Sequence, residues 1–388
     1  MTIATNLLGQ QKAGAQFFTL AQQKMKLLKW VEAKDYLNQC LIATPSFAEG
    51  YSVRALVNEK LQRPTEALTD YSIAIELAPQ IPDNYLKRGV LALQLDRLDL
   101  AKPDFRKLLS MGNTETSTVY FRQSDDESVD KVFTLQSNIK DMAYSYLGIV
   151  ETKAGEYNAA ILYFDSALNV NPKVPDYYAH RGVAYLNKEE YTKATVEFEK
   201  ALTLDPNHTI SKSNLATIKR KEGKHAEAEK YLNEIKAESR TPIQFANLAI
   251  MQLENERYRE AVLNFDSAIA LDSKDAALFL DRGLAKEKIN NWKGAKRDFD
   301  KAIQIDSQWP KAWFVEGNHF MKQRLWQHAL ENYTVAIAFD ENYSNAYYNR
   351  AICYYQLKLY NNACVDLRKA QSKGMSVDAK MKTKFCRE

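Results

Sequence analysis

The sequence predicts an all-α fold made of stacked pairs of antiparallel helices. Glycine and proline are scarce, at 13 and 10 of 388 residues, whereas apolar residues make up 45% of the chain, enough to bury a core. Proline also recurs at a fixed interval, because Pro45 and Pro79 are 34 residues apart, as are Pro172 and Pro206. A period of this length is typical of proteins in which each repeat is one supersecondary unit.

Division of the chain at this interval gives ten repeats of 34 residues, apart from the sixth, which is one residue shorter. Three repeats cover residues 14–115 and seven cover residues 141–377. Positions within a repeat are counted from its first residue. The first residues of the ten repeats are Gly14, Ala48, Pro82, Asp141, Pro175, Thr209, Pro242, Ala276, Pro310 and Ser344.

Positions 8 and 20 are Ala or Gly in every repeat, as at Gly182 and Ala194 of the fifth. Bulky residues recur at positions 4 and 24, for example Tyr178 and Phe198. The spacings of three and four between positions 4, 8 and 11, and between 17, 20, 24 and 27, place one apolar stripe on each of two helices. We expect the small residues to lie where paired helices cross, and the large rings to fill the space between neighbouring pairs. A single pair cannot bury its stripe alone, so the pairs stack.

This pattern resembles the tetratricopeptide repeat family, in which each repeat is a helical hairpin. The fifth repeat carries the whole signature of small, aromatic and proline residues. Its matching residues are Tyr178, Gly182, Tyr185, Tyr191, Ala194, Phe198, Ala201 and Pro206. The resemblance implies an all-α solenoid, a right-handed superhelix of about ten antiparallel helix pairs, with the first helix of each pair on its inner, concave wall.

Arginine at position 7 and an acid at position 23 occur together or not at all. Five repeats carry both, and in the other five position 23 is Tyr or Asn. Position 7 lies midway along the first predicted helix and position 23 lies on the second, so we expect a salt bridge within each of these hairpins. The predicted pairs are Arg54–Asp70, Arg88–Asp104, Arg181–Glu197, Arg282–Asp298 and Arg350–Asp366.

Three segments lie outside the repeats. Residues 1–13 are expected to form an N-terminal cap, and the basic residues 378–388 a polar C-terminal cap. Residues 116–140 are a non-repeat acidic insertion centred on Ser124 to Ser128. The insertion is either a surface excursion between repeats or a segment that docks a partner or serves as a hinge. The sixth repeat has Lys212 in place of an aromatic residue at position 4, and we expect a softer joint there.

Composition argues against several kinds of partner and site. Lys and Arg total 53 against 49 Asp and Glu, with the two signs interleaved, so we expect neither nucleic acid nor a membrane as a partner. The four cysteines are expected to be reduced thiols, although Cys353 and Cys364 of the tenth repeat could approach each other. No apolar run is long enough to span a bilayer, and the N-terminus lacks the features of a signal peptide. If Met1 is the natural start, the sequence predicts a cytoplasmic protein.

The sequence contains no motif for catalysis or cofactor binding. The phosphate-binding loop, the GxGxxG turn, the GxSxG elbow and the HExxH helix are all absent. The five histidines are spread over three repeats, and no Cys or further His completes a metal-binding set. The repeats also leave no room for a catalytic domain. We therefore expect a protein that is not an enzyme and that has neither a cofactor nor a metal.

The resemblance places positions 2, 5, 6, 9, 12 and 13 of each first helix on the concave wall. Several of these residues are asparagines, whose amide offers a donor and an acceptor to the backbone of an extended peptide. Such a row is similar to the asparagine ladder in the superhelix of O-linked N-acetylglucosamine transferases. The other interpretation is that Asn is only a polar residue on a wet surface. The residues predicted to line a peptide-binding groove are Lys87, Tyr146, His180, Asn214, Asn247, Asp281, Phe314, Asn318, Tyr348 and Asn349.

We predict a non-catalytic scaffold that binds an extended peptide or protein segment in this groove. Charged and aromatic wall residues around the amides favour a peptide with acidic and aromatic side chains. The alternatives are a self-associating structural platform, hence a homo-oligomer, and an accessory subunit of a larger complex. A heat-shock co-chaperone is disfavoured, because the carboxylate-binding subtype of the family needs Lys at position 5 and no repeat has it. The further wall residues are Lys153, Arg220, Lys221, Lys288, Lys311, Lys322, Tyr355, Asp83, Asp176, Glu254 and Glu287.

Overall fold

The computed structural model describes the backbone of residues 2–111, 115–123 and 129–386, and the side chains of residues 10–111 and 139–386. The acidic centre of the predicted insertion, residues 124–128, lies outside the described residues. The chain divides into two compact bodies, an N-terminal body (Met1–Leu215) and a C-terminal body (Ala216–Glu388).

Ten pairs of antiparallel helices make up the two bodies, which confirms the predicted all-α solenoid. The first and second helices of the repeats are α1 (Thr2–Lys26) and α2 (Trp30–Ala43), α3 (Ala48–Lys60) and α4 (Pro64–Leu77), α5 (Pro82–Gln94) and α6 (Leu98–Ser110), α7 (Ile139–Lys153) and α8 (Tyr157–Val170), α9 (Pro175–Asn187) and α10 (Tyr191–Leu204), α11 (Thr209–Lys221) and α12 (His225–Asn233), α13 (Pro242–Glu254) and α14 (Tyr258–Leu271), α15 (Ala276–Lys288) and α16 (Trp292–Ile305), α17 (Pro310–Lys322) and α18 (Trp326–Phe339), and α19 (Ser344–Gln356) and α20 (Tyr360–Ser372). A short 3-10 turn (Ala237–Ser239) follows α12, and one more helix, α21 (Ala379–Phe385), follows the last pair.

The turn between the two helices of each pair has the same backbone conformation in all ten repeats. Its residue at position 15 has a positive φ, between 55° and 82°, and is Gly only at Gly155 and Gly223. The other eight repeats hold a non-glycine residue in this left-handed conformation, which costs roughly 1 kcal/mol or more per residue. The stacking of the helices therefore imposes the turn, since local residue preference would not select it.

Two segments outside the repeats have secondary structure of their own. Residues 1–13, the predicted N-terminal cap, belong to α1, which is one continuous helix from Thr2 to Lys26. The insertion contains two antiparallel strands, β1 (Glu115–Gln123) and β2 (Val129–Asn138), with Glu115 opposite Asn138. The all-α class holds for the repeats, and the sequence predicts no secondary structure for this non-repeat segment. Its Thr, Val, Tyr and Phe residues favour strands, and no helical spacing of apolar residues competes with them.

A close contact between positions 8 and 24 sets the distance between the helices of each pair. A Cβ atom added at Gly148 would lie 2.6 Å from the ring of Phe164, closer than carbon atoms can approach. The same clash would arise at Gly182 with Phe198. The predicted small residues therefore lie at the crossing, as expected. The position 24 ring packs within its own pair as well as between pairs, which the sequence analysis did not foresee.

The five predicted salt bridges at positions 7 and 23 are all present, with N–O distances of 2.6–2.8 Å. Each arginine also reaches the preceding repeat, which the sequence analysis missed. The Arg181 Nη1 group donates to Asp165 at position 25 of the repeat before it (2.6 Å). The residue at position 25 is the acceptor for all five arginines, and the acceptors are Asn38, Ser72, Asp165, Asp266 and Thr334. One guanidinium thus joins three helices of two repeats.

The C-terminal end is closed by α21, which runs back along α20. Phe385 is 4% exposed and stacks on Tyr355 at 4.4 Å. A disulfide joins Cys364 to Cys386, whereas Cys40 is a buried free thiol. The prediction of four reduced thiols is wrong for this pair, and the prediction of a polar cap misses its apolar anchor. The fold-back of the chain after the last repeat brings the two cysteines together, and the repeat period holds no information about it.

Within the described residues, none of the helices combines the length and the apolar character that crossing a bilayer requires.

Replacement of Gly148 by Ala should destabilise the protein by about 1 kcal/mol. Alanine is the better helix former by about 1 kcal/mol, but the added methyl would overpack the contact with Phe164 by about 2 kcal/mol. Chemical denaturation of the full chain measures the difference. The double variant Gly148→Ala/Phe164→Leu should recover stability relative to Phe164→Leu alone. A more stable Gly148→Ala protein would show that the ring does not set the helix distance.

Replacement of Arg181 by Met should cost about 3 kcal/mol, because it leaves the mostly buried Glu197 and its neighbour Asp165 without their partner. The double variant Arg181→Met/Glu197→Leu should be more stable than the single one, since the buried carboxylate is then removed as well. Urea unfolding followed by circular dichroism compares the two. A double variant that is the less stable of the two would contradict the assigned pairing.

Candidate functional site

The first helices of neighbouring repeats contact one another within each body, as α7 contacts α9 and α17 contacts α19. Positions 2, 5, 6, 9, 12 and 13, which the resemblance assigns to the concave wall, define what we call the first-helix wall, although some of their residues, such as Ala179 and Leu280, are buried. The predicted groove residues lie on this wall, four in the N-terminal body and six in the C-terminal body. The two sets are described separately.

The N-terminal part of the wall contains Lys87, Tyr146, His180 and Asn214. The ring of Tyr146 stacks on Phe105 at 4.9 Å and so belongs partly to the packing between repeats. His180 has a buried Nδ1 atom without a hydrogen-bond partner among the described residues, and burial lowers its pKa. The Asn214 amide donates one N–H to the Ile210 carbonyl of its own helix (2.9 Å), so its second N–H and its oxygen are what it can offer a ligand. This part of the wall therefore offers a ligand few free amides.

A serine, a histidine and an aspartate come together at the start of α11, a grouping that sequence spacing did not reveal. His208 Nδ1 lies 2.9 Å from Ser211 Oγ, and its Nε2 lies 3.0 Å from an Asp176 oxygen. Hydrogen bonding to His208 lowers the pKa of Asp176. Ser211 is fully buried and its backbone N–H donates to His208 Nδ1, so the histidine caps the helix and ties it to α9. A buried hydroxyl cannot attack a substrate, and the grouping is structural.

The C-terminal part of the wall begins on α13 with an open amide between apolar residues. Asn247 is half-buried and forms no hydrogen bond within the described part of the chain. Ile243, one turn before it, is 71% exposed. Ile250, about one turn after it, is partly exposed and packs on the core of repeats 7 and 8. Asn247 is thus free to pair with the backbone of a ligand, and the isoleucines beside it can contact apolar side chains.

Asp281 is the next predicted wall residue, at position 6 of α15. It is half-buried, and none of the described residues donates a hydrogen bond to it. Burial raises its pKa, an effect that the positive charge of Lys311 opposes and the negative charge of Asp275 reinforces. A carboxylate in this setting costs stability, because partial loss of water is not compensated by protein donors.

Asn318 and Asn349, which the sequence analysis read as part of an asparagine row, bond to each other instead. The Asn349 amide donates to Asn318 Oδ1 (2.8 Å), and Tyr333 Oη donates to the same oxygen (2.7 Å). The Asn318 oxygen is therefore occupied within the protein. Of the four predicted asparagines, Asn247 is the one whose amide has neither role filled by the described residues.

The aromatic wall residues are partly used in packing. Phe314 lies 4.8 Å from Tyr343 and 5.7 Å from Tyr333, and Tyr348 Oη contacts the sulfur of Met381 on α21 at 3.1 Å. The ring of Tyr355 is covered by Phe385 of the same helix. At this end of the wall, α21 occupies the place where the first helix of an eleventh repeat would stack.

Charges on the C-terminal wall are mostly paired. Glu287 is buried between His319 Nδ1 (2.6 Å) and Lys322, and its pKa is lowered by their hydrogen bonds against the opposing effect of burial. Lys288 and Lys311 form no ion pair with any described residue and lie over aromatic rings. The lysines and Asp281 therefore provide the free charges of this wall.

Within the described residues, no group of three or more His, Cys, Asp or Glu side chains could hold a metal ion.

Comparison with known proteins agrees with the repeat period. Profiles of the tetratricopeptide repeat family match residues 175–208, 82–124 and 344–372. A curated relative, the Protein SGT1 homolog of Oryza sativa subsp. japonica, is 30% identical over 97 residues. That alignment spans 25% of this chain and 26% of the relative, about a quarter of its length.

Two solved structures resemble the fold over most of the chain. A tetratricopeptide repeat protein from Parabacteroides merdae aligns with a TM-score of 0.57 at 16% identity, over 71% of this chain and 99% of that chain. A chain from the Cut9–Hcn1 hetero-tetramer of the APC/C aligns with a TM-score of 0.50 at 15% identity, over 97% of this chain and 84% of that chain. At these identities the likeness concerns the fold alone.

Stacked helical hairpins joined by a recurring arginine define an α-solenoid repeat protein. The three profile matches begin at predicted first residues, Pro82, Pro175 and Ser344, and the predicted first residues coincide with the starts of eight of the ten first helices. The chain therefore contains tetratricopeptide repeats at the three matched segments, and its other helix pairs share their architecture.

Asp281→Asn should stabilise the protein at neutral pH and leave its stability nearly unchanged at pH 3. The raised pKa of Asp281 means that the folded state holds the proton more tightly than the unfolded state. Its contribution to stability is therefore present below the ordinary aspartate pKa of about 4 and is lost as the pH rises through the folded value. Urea unfolding across pH 3–7 measures the difference between the two proteins. A variant that is less stable at pH 7 would show that Asp281 has a stabilising partner.

Proposed function

We propose that the protein is a non-catalytic scaffold whose first-helix wall binds an extended segment of a partner protein. Tetratricopeptide repeats form protein-interaction scaffolds, and within each body the fold places neighbouring first helices in contact. The C-terminal part of the wall is the better candidate, because it carries free polar groups beside exposed apolar residues. The backbone of the wall is already formed in the free protein, which reduces the entropy cost of binding.

Asp281 is the observation that carries this proposal. A half-buried carboxylate without a protein donor lowers the stability of the fold, and such groups are retained where a ligand satisfies them. The backbone N–H groups of an extended peptide, or a basic side chain, would supply the missing donors. Lys311 next to it could form an ion pair with an acidic side chain of the same segment, so the site suits a peptide of mixed charge.

Asn247 supports the same site from the neighbouring repeat. Its free amide can donate to a peptide carbonyl and accept from a peptide N–H, which fixes an extended backbone without reading its sequence. Ile243 and Ile250 beside it provide an apolar contact. Of the predicted asparagine row, Asn247 is thus the residue with a fully free amide. Selectivity among peptides would come from its apolar and charged neighbours.

End-to-end stacking of copies, the predicted alternative, is less well supported. In the other linked repeats, position 25 accepts a hydrogen bond from the arginine of the next repeat. In the tenth repeat this position is the exposed Arg368, which cannot accept one. At the other end, position 7 of the first repeat is Leu20, which cannot form the tie. Continuation of the solenoid from one copy into another would therefore lack the arginine link.

The double variant Asn247→Ala/Asp281→Asn should bind the partner segment at least about tenfold more weakly than the wild type. Peptides are first selected on the full chain from a displayed random library, and the dissociation constant of the best peptide is then measured by calorimetry for each variant. The loss of two charge-assisted or amide hydrogen bonds accounts for this size of effect.

The matched control is Asn361→Ala/Asn362→Ala, which removes two exposed amides from the second helix of the last repeat. This control should bind the selected peptide as the wild type does, and circular dichroism should show equal helicity in all three proteins. Equal binding by the wall variant and the wild type would exclude the first-helix wall around Asn247 and Asp281 as the site.

A further inference from the structure

The C-terminal end of the chain concentrates positive charge. Residues 367–386 contain six Lys or Arg against a single acid, Asp378, so this segment alone carries more net charge than the +4 of the whole chain. The side chain of Asp378 accepts from the Lys380 backbone N–H as the cap of α21. The six cations are Arg368, Lys369, Lys373, Lys380, Lys382 and Lys384.

These cations lack acidic partners. Ion pairs are common elsewhere on the protein, but none of the six forms one with any described residue, and all except Lys373 are exposed. Lys384 lies over the Tyr355 ring, and Lys369 and Lys373 lie over Tyr347. An uncompensated cluster of this kind repels itself and is costly to keep unless a negative partner binds it.

The fold brings cations of α20 and α21 to the same repeat, since Lys369 and Lys373 lie over Tyr347 of α19 and Lys384 lies over Tyr355 of the same helix. The disulfide between Cys386 and Cys364 holds the end of α21 that carries Lys384 one turn before Arg368 on α20. The buried Phe385 and the disulfide both hold α21 in this place. The surface is therefore preorganised, and no order has to be gained when a partner binds.

We propose that this C-terminal basic surface, formed by the six cations of α20 and α21, is a second interaction site that binds an acidic segment of a partner protein. It is separate from the first-helix wall. A seven-residue helix is about 10 Å long, so the surface matches a few residues of a polypeptide. Val365, 52% exposed and one turn before Arg368 and Lys369 on the same side of α20, offers an apolar contact beside the charges.

Other anionic partners fit this surface less well. A nucleic acid strand would stack its bases on aromatic rings, but Tyr355 is stacked on Phe385 and covered by Lys384, and Tyr360 beside it is only 43% exposed. A membrane surface would need exposed apolar residues among the lysines of α21. The large apolar residues of this helix, Met381 and Phe385, face the protein instead.

The test uses a fluorescein-labelled synthetic peptide in which Glu and Leu alternate, with binding to the full chain followed by fluorescence anisotropy. Lys380→Gln/Lys382→Gln/Lys384→Gln should weaken binding about tenfold, the sum of three modest exposed ion pairs. The matched control Lys107→Gln/Lys173→Gln/Lys200→Gln has the same net charge and should bind as the wild type. The variant Arg368→Gln/Lys369→Gln leaves α21 unchanged and should also weaken binding. It tests the surface independently if the triple variant no longer folds α21.

Several outcomes would overturn the proposal. A control that loses as much affinity as the triple variant would show a general charge effect, and unchanged binding by both surface variants would leave the lysines as a solubility cap. If an oligothymidine strand or phosphatidylserine vesicles bind more tightly than the peptide, the partner is a nucleic acid or a membrane surface and the proposed protein partner is wrong. The wall variant Asn247→Ala/Asp281→Asn should bind the acidic peptide as the wild type does, so failure of one site does not imply failure of the other.

Discussion

In every repeat the side chain at position 24 of the second helix packs against the Ala or Gly at position 8 of the first. Where position 8 is Gly, the partner is an aromatic ring that leaves no room for a methyl group, as with Gly148 and Phe164. Where position 8 is Ala, the partner is more often Leu, as with Ala351 and Leu367 in one cluster. Two repeats combine Ala with an aromatic ring, Ala55 with Tyr71 and Ala249 with Phe265, so a methyl group and a ring can also be accommodated together. Within each body, the stacking of neighbouring pairs depends on this small-to-large contact.

Most of the fold could be predicted from the sequence because its information is local and repeated. A 34-residue period locates the first helices, and the coincidence of Arg181 with Glu197 and its equivalents locates a contact between the helices of a pair. The arginine link to the previous repeat was not predicted, because the residue at position 25 varies among Asn, Ser, Asp and Thr. The strands at Glu115–Gln123 and Val129–Asn138 and the fold-back of Cys386 to Cys364 lie outside the period, and the repeat pattern contains no information about them.

The candidate site was less predictable than the fold, because its properties depend on which groups the protein itself satisfies. Sequence position identifies Asn214, Asn247, Asn318 and Asn349 as equivalent amides. Packing makes them different, since one bonds to its own helix, two bond to each other and only Asn247 stays open. Asp281 likewise has no hydrogen-bond donor among the described residues, and this cannot be predicted from the spacing of residues in the sequence. Exposure and hydrogen bonding, rather than residue type, decide what this wall can bind.

The arginine at position 7 has a consequence for the way the protein loses its structure. Arg54 and Arg88 join the first three repeats, and Arg181, Arg282 and Arg350 join three further pairs of neighbours. Repeats 4, 6, 7 and 9 have no arginine at this position, so neighbour coupling alternates between strong and weak along the chain. In a one-dimensional array, opening begins where coupling is weak. Amide exchange should therefore proceed in blocks bounded by these repeats, with the sixth, which has no arginine link to either neighbour, exchanging fastest.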